Sequence, residues 1–264
     1  MNKNSPLVTV ITTVRNGAAT IERTIQSVLS QTYSNIQYVV IDAGSNDGTV
    51  EIIEQYENEL DYWVSERDCG IYDGFNKGVL RAAGLYVGIL NADDYLVSTA
   101  IEHLVKNIPI SLDQELLPII HGNMKLVTAS GLPITAHRRK ARAMAQRFTA
   151  MPVNHPATFV PLSVYNRIGL FDKNFRIAGD YEFVLRAVNQ GVNFIHVDEN
   201  WATMQVGGAS SLRNAYTLSR ERFIARTRNG GNLTASTFRL ILEVAIFSGR
   251  KFKRLFIPSR YEPT

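Results

Sequence analysis

The 264 residues are 45% apolar and 20% charged, an ordinary composition for a folded protein with a sizeable core. Cys69 is the only cysteine, which excludes an intrachain disulfide and fits a reducing cytosol. The net charge of +4 is unevenly spread: residues 1–212 hold 17 Lys/Arg against 21 Asp/Glu, and residues 213–264 hold 11 against 3, so an acidic body carries a basic tail suited to an anionic partner.

In chain order, residues 8–12 read as a strand whose apolar run is too short and too β-branched for a signal peptide or a spanning helix. Residues 18–31 carry Ile21, Ile25, Val28 and Leu29 at helical spacing. Residues 36–41 form a second, almost continuously apolar strand, followed by the turn cluster Ala43-Gly-Ser-Asn-Asp-Gly48. Thr49 is a candidate cap for the next helix. A short strand at 62–65, a helix at 72–83 and a strand at 85–90 complete an alternating pattern, which predicts a parallel, doubly wound sheet. Beyond it, 98–106 reads as helix, 119–127 as one or two strands, 162–169 and 181–189 as helices, and 194–197 as a strand. The stretch 153–160 mixes turn and strand signals, 138–142 is a basic cluster, and helices dominate from 214 onward.

Four strand ends deliver polar groups to one rim of this sheet: Thr13 and Arg15, then Asp42, then Asp68 before a helix with Asn76 and Lys77, then Asn91-Ala-Asp-Asp94. Open α/β sheets bind ligands at that rim, and the set resembles a nucleotide pocket with a metal at its centre. Two adjacent carboxylates repel each other unless a cation or donor-rich ligand lies between them, and oxygen ligands of this kind suit Mg²⁺ or Mn²⁺ together with phosphates. The competing reading of Asp93-Asp94 is a solvated turn or a helix cap. No dinucleotide fingerprint and no Walker loop is present.

Over residues 7–212 the chain resembles the inverting family-two glycosyltransferases of GT-A fold, closest to the bacterial branch that builds surface polysaccharides. The resemblance rests on Val8-Thr-Val-Ile-Thr-Thr-Val-Arg-Asn16, Ser27-Val-Leu-Ser-Gln-Thr32, Val40-Ile-Asp42 with Gly44-Ser-Asn-Asp-Gly-Thr49, Asp68-Cys-Gly-Ile-Tyr-Asp-Gly-Phe-Asn-Lys-Gly78, Leu90-Asn-Ala-Asp-Asp94, Gly169-Leu-Phe-Asp172 and Gly179-Asp-Tyr-Glu182, all in order. It implies an α/β, GT-A-like, Rossmann-related and mostly parallel sheet with flanking helices, divided into a nucleotide-sugar half (1–105) and an acceptor half (106–212), with 213–264 as a basic helical tail.

The resemblance implies that Thr13 and Arg15 line the base and ribose pocket, that Asp42 bonds the base or ribose, that Asp93 with Asp94 holds Mg²⁺ or Mn²⁺, and that Asp180 is the general base. Asn91 stands where the family often has its first Asp, a neutral and weaker partner for ribose or metal. Taken without the resemblance, Asp180 reads as a helix N-cap rather than a base. His155 is a candidate contact for acceptor or diphosphate, and Gly207 and Gly208 lie in a loop able to approach or close over the diphosphate.

The reading that follows is transfer of a sugar, with inversion, from a nucleotide-diphosphate donor (UDP first among UDP, GDP and dTDP) to a glycan or lipid-linked acceptor. A catalytically silent sugar-nucleotide-binding assembly protein, or a nucleotidyltransferase, is the alternative. The apolar and basic tail reads as a segment on an anionic membrane surface, or as a helical pair packed on the domain or a partner; it lacks any nucleic-acid recognition motif. The expected location is cytoplasmic and peripheral on the inner face of the membrane.

Overall fold

The computed structural model describes residues 5–109, 113–128, 130–137, 144, 146–206 and 215–256, and for 135–137 and 247–256 the backbone alone. The basic cluster 138–142 and the loop with Gly207 and Gly208 lie outside the described residues. The first unit runs β1 (Val8–Val14), α1 (Ile21–Leu29), β2 (Ile36–Asp42), α2 (Thr49–Gln55), β3 (Tyr62–Ser65), α3 (Ile71–Val79) and β4 (Tyr86–Asn91). The second runs β5 (Tyr95–Leu96), α4 (Ala100–Lys106), β6 (Ile119–Val127), β7 (Pro133–His137), β8 (Thr158–Pro161), α5 (Leu162–Ile168), α6 (Gly179–Asn189) and β9 (Phe194–Gln205). Two helices follow, α7 (Ala215–Arg228) and α8 (Leu233–Phe256).

One sheet joins the strands in the order β3-β2-β1-β4-β8-β6-β9-β5, with β7 added on β6. The first four strands are parallel, as the alternating pattern predicts. From β8 outward the pairings turn antiparallel except for β6 with β9, so the second part of the sheet is mixed. The sheet separates two apolar cores. Val8, Val10 and Val40 face α1, whereas Ile11, Val39 and Ile41 face Phe75 and Val79 of α3, the two-residue alternation of a strand covered on both sides. At about 25 cal/mol per Å² of apolar surface, each buried Ile or Val stabilises the fold by roughly 1.5–3 kcal/mol. α3 lies close on β1 because Gly78 faces Ile11: a Cβ there would stand 2.3 Å from the Ile11 Cγ2.

Two local expectations change. Thr49 is the first residue of α2 rather than its cap; Gly48, at φ +98°, precedes the helix, and Asp47 Oδ1 accepts from the Thr49 N–H at 3.2 Å. The strand expected at 194–197 continues to Gln205, because β6 supplies a parallel partner along that length. Within the residues expected to form a separate tail, α7 buries Leu218 and Ala225 in the same core as α3 and α6. α8 joins α7 through the ion pair Arg226–Glu243 at 2.6 Å, with the Arg226 side chain only 1% exposed.

Candidate functional site

The parallel register aligns the strand ends. Val14 pairs with Asp42, Asp42 with Ser65, and Thr13 with Asn91, so β1, β2, β3 and β4 deliver their last residues side by side. Two loops then clasp each other above β1 and β2. The Asn16 N–H donates to Ser45 Oγ at 2.7 Å, Asn16 Oδ1 accepts from the Asn46 N–H at 3.1 Å, and the Gly17 N–H donates to Thr49 Oγ1 at 2.9 Å. Asn16 sits at φ +51°, a region asparagine tolerates better than most residues. Arg15 is exposed beside this clasp and Thr13 is half-buried.

Asp42 is fully buried. Its Oδ2 accepts from the N–H groups of Gly44 and Ser45 at 3.1 and 2.9 Å and from Ser65 Oγ at 2.6 Å, while Ser45 Oγ donates to Oδ1. A carboxylate offers about four lone-pair directions, and here four donors occupy it. In this structure Asp42 therefore builds the turn that shapes the rim.

The turn after β4 holds the paired acids. Asp94 is 1% exposed and Asp93 half-buried. Burial, and then the charge of Asp93, hold the Asp94 carboxyl well above the usual carboxylate range; burial raises Asp93 as well. The partners of Asp94 are long: the Gln205 N–H at 3.3 Å and Asn91 Nδ2 at 3.4 Å. Among the described residues neither acid has a Lys or Arg at ion-pair distance. Arg23 of α1 comes nearest, but its Nη2 donates to the Asp93 carbonyl at 3.0 Å and to Gln205 Oε1 at 3.1 Å, and its guanidinium lies 4.6 Å from the centre of the Tyr95 ring. Thr24 Oγ1 donates to the carbonyls of Ala92 and Asp94 at 2.8 and 2.7 Å. The backbone of the turn is thus bolted to α1, and the Asp94 carboxylate to β9, while among the described residues neither carboxylate has a cation at ion-pair distance. No group of three or more His, Cys, Asp or Glu suited to a metal occurs among the described residues. Two carboxylates do suit Mg²⁺ or Mn²⁺, which take one or two from the protein and complete their shell with phosphate and water. Sequence reasoning missed Arg23 and Thr24, which on a helix face carry no local signal, and placed Gln205 only at the start of the glycine loop, without its bond to Asp94.

The loop before α3 is organised by its own acids. Asp68 Oδ1 accepts from the Gly70 N–H at 3.0 Å, and Asp73 Oδ2 from the Cys69 N–H at 3.1 Å. Lys77 pairs with Glu66 at 2.8 Å and donates to the Arg67 carbonyl at 3.1 Å. Asn76 is buried and exchanges both hydrogen bonds with the Phe171 backbone, at 2.9 and 3.0 Å. In this structure Asn76 and Lys77 hold α3 and its loop. α3 also bridges two parts of the site. A Cβ on Gly74 would stand 3.5 Å from Thr13 Cγ2, and the Tyr72 hydroxyl, two residues earlier, lies 3.3 Å from Asp180 Oδ1.

Asp180 is the second residue of α6, whose N-terminus lacks a side-chain cap. Gly179 admits the Tyr72 ring, since a Cβ would meet it at 2.7 Å. Burial, then the Asp180 charge, push the Tyr72 hydroxyl well above its usual range, so it stays protonated and donates to the carboxylate. His155 stacks on Phe75 with ring centres 5.2 Å apart, and its Nε2 is buried without a hydrogen-bond partner. Burial lowers its pKa against an opposing pull from Asp180, which favours the neutral ring. Both residues line a cavity with Met151, Val153, Phe171 and Phe183. Glu221, 5% exposed on α7, grips the approach to α6: it accepts from the N–H groups of Arg176, Ile177 and Ala178 at 2.8, 2.9 and 2.9 Å.

Known proteins resemble this chain in sequence and in fold. Residues 9–160 match the model of glycosyl transferase family 2. A Mycobacterium tuberculosis chain, "Uncharacterized glycosyltransferase MT1564", is 36% identical over 192 residues, which is 70% of each chain. Among solved structures, the mannosyltransferase PcManGT from Pyrobaculum calidifontis with GDP-Man and Mn²⁺ superposes with a TM-score of 0.65 at 19% identity, over 96% of this chain and 76% of that one. TarS 1-349 of S. aureus with UDP-GlcNAc gives 0.64 at 17% identity, over 96% and 76%. These structural likenesses share the GT-A fold of an α/β protein with a curled central sheet. With the family model covering more than half of its length and this relative covering 70% of it, the chain belongs to glycosyl transferase family 2.

Proposed function

We propose that this protein transfers a sugar from a nucleoside-diphosphate donor, UDP-linked first, to a hydroxyl of a glycan or lipid-linked acceptor, with inversion, in surface-polysaccharide synthesis. The observation that carries the reading is the Asp93–Asp94 pair on the β4 rim: among the described residues its carboxylates have no Lys or Arg at ion-pair distance, while Arg23 and Thr24 fix its backbone carbonyls and the Gln205 N–H bonds the Asp94 carboxylate. Thr13 and Arg15 are the base and ribose contacts, beside the clasp that Asp42 builds. Asp93 and Asp94 are the holders of Mg²⁺ or Mn²⁺; when bound, the ion supplies Lewis-acid stabilisation of the charge that grows on the leaving diphosphate. The Mn²⁺ complex of PcManGT supports that metal, and the UDP-GlcNAc complex of TarS supports a nucleoside-diphosphate sugar as donor, as does the GDP-Man of PcManGT.

Asp180 takes the proton of the attacking hydroxyl as the new C–O bond forms and the sugar–phosphate bond breaks on the opposite face of the anomeric carbon. Tyr72 orients its carboxylate, and the open Nε2 of His155 offers the acceptor a polar partner. A lipid-linked acceptor suits a location on the cytoplasmic face of the membrane.

The variant Asp180→Asn tests this reading. Transfer from a UDP-sugar should fall by about 10²–10⁴-fold. UDP with Mn²⁺, at about 100 times Kd, should still stabilise the variant by about 2.7 kcal/mol, and the same nucleotide with chelator should not. Transfer at the wild-type rate would remove Asp180 from the mechanism, and a larger thermal shift with GDP, dTDP or CMP would reassign the donor.

A further inference from the structure

α8 leaves an apolar stripe exposed. Toward the body it presents Ser236, 4% exposed, and Glu243, whose side chain is 14% exposed and held by Arg226, with Leu240 and Val244 half-buried. Toward solvent it presents Phe238 at 68%, Ile241 at 63%, Leu242 at 44% and Ile246 at 45%. The spacing of these four residues puts them on one stripe of a helix. A contiguous exposed apolar stripe marks an interaction surface. The charge around it says which kind: residues 213–264 carry a net +8, and the same helix continues through Arg250-Lys-Phe-Lys-Arg254. Two copies meeting through this face would bring two net-positive segments together, which disfavours self-association. Among the described residues no helix is long and apolar enough to cross a membrane, and an apolar stripe beside basic residues suits a helix lying in the interface.

We propose that the outward face of α8, built on Phe238, Ile241, Leu242 and Ile246, docks on an anionic lipid surface. This deepens the lipid-linked acceptor reading and rests on it for its purpose, but binding is measured without turnover, so the two can fail separately. The α7–α8 pair then fixes the enzyme at the surface, and α7 connects that contact to the approach of α6 through Glu221.

The test is co-sedimentation of the full chain with phosphatidylcholine vesicles, with and without phosphatidylglycerol, at low salt and at 1 M salt. The wild type should bind the anionic vesicles at least about tenfold more tightly than the neutral ones and should weaken in high salt. The double variant Phe238→Asn/Ile241→Asn should bind at least about tenfold more weakly. Both positions are exposed, so its melting temperature and its UDP–Mn²⁺ stabilisation should match the wild type. Failure of the wild type to bind anionic vesicles, or equal binding by the double variant, would overturn the proposal. So would a concentration-dependent dimer abolished by the same substitutions, which would assign the face to a second copy.

Discussion

Burying Asp94 beside Asp93 costs stability in the free protein. A carboxyl raised in the fold contributes stability below its unfolded pKa near 3.8 and loses it as pH rises through the folded value, so at neutral pH the pair works against folding. Asp94→Asn should therefore leave the metal-free protein as stable or stabilise it by about 1–2 kcal/mol, read from urea unfolding, while the UDP–Mn²⁺ thermal shift disappears. A variant that lost stability and kept the shift would show that Asp94 is structural. At this scale the sequence was informative where a residue type and its neighbours state the chemistry: an apolar run ending in two acids is legible without a structure. Arg23, 70 positions from the Asp93 carbonyl it bonds, and Gln205, 111 positions from Asp94, were illegible because only the fold brings them together. Asn76 and Lys77 show the converse, since their motif was visible while their partners, Phe171 and Glu66, were not.

Among the elements, α6 depends most on a distant neighbour. Glu221 binds three consecutive N–H groups just ahead of Asp180, so a charge on α7 sets the backbone from which that carboxylate projects. In Glu221→Gln an amide donor would face one or more of those N–H groups, at a cost of about 1–3 kcal/mol. Transfer should drop while UDP–Mn²⁺ stabilisation persists; unchanged transfer would show that the loop keeps its shape without the carboxylate. Helices such as α1 were readable because Ile21, Ile25 and Val28 repeat at the right period and are buried. β9 was cut short in the sequence because Asp198, Glu199 and Asn200 interrupt its apolar pattern. In the fold Asn123 bonds Asp198 at 2.9 Å, His103 pairs with Glu199, Asn200 stands in register with Asn123 of β6, and the strand runs on.

For the whole molecule, the change of charge at 212/213 is easily mistaken for a boundary between independent parts. α7 fills the core beneath α6, and Glu221 completes the approach to it. A chain ending at residue 212 should lose the single cooperative melting transition of the full chain, by circular dichroism; an intact transition would make 213–264 an appendage. Charge composition was legible because it is additive along the chain, whereas shared burial is a property of contacts. The pairing of β6 with β9 has a consequence for the order of assembly. The four parallel strands β1 to β4 close on near neighbours and are complete by residue 91, but the segment that donates to Asp94 leaves the ribosome more than a hundred residues later. Contacts so far apart in sequence form slowly, and large domains fold through partly built states. During synthesis, then, the pairings of the four parallel strands are available before β9 emerges, and the acidic turn gains the Gln205 brace only when β9 pairs with β6.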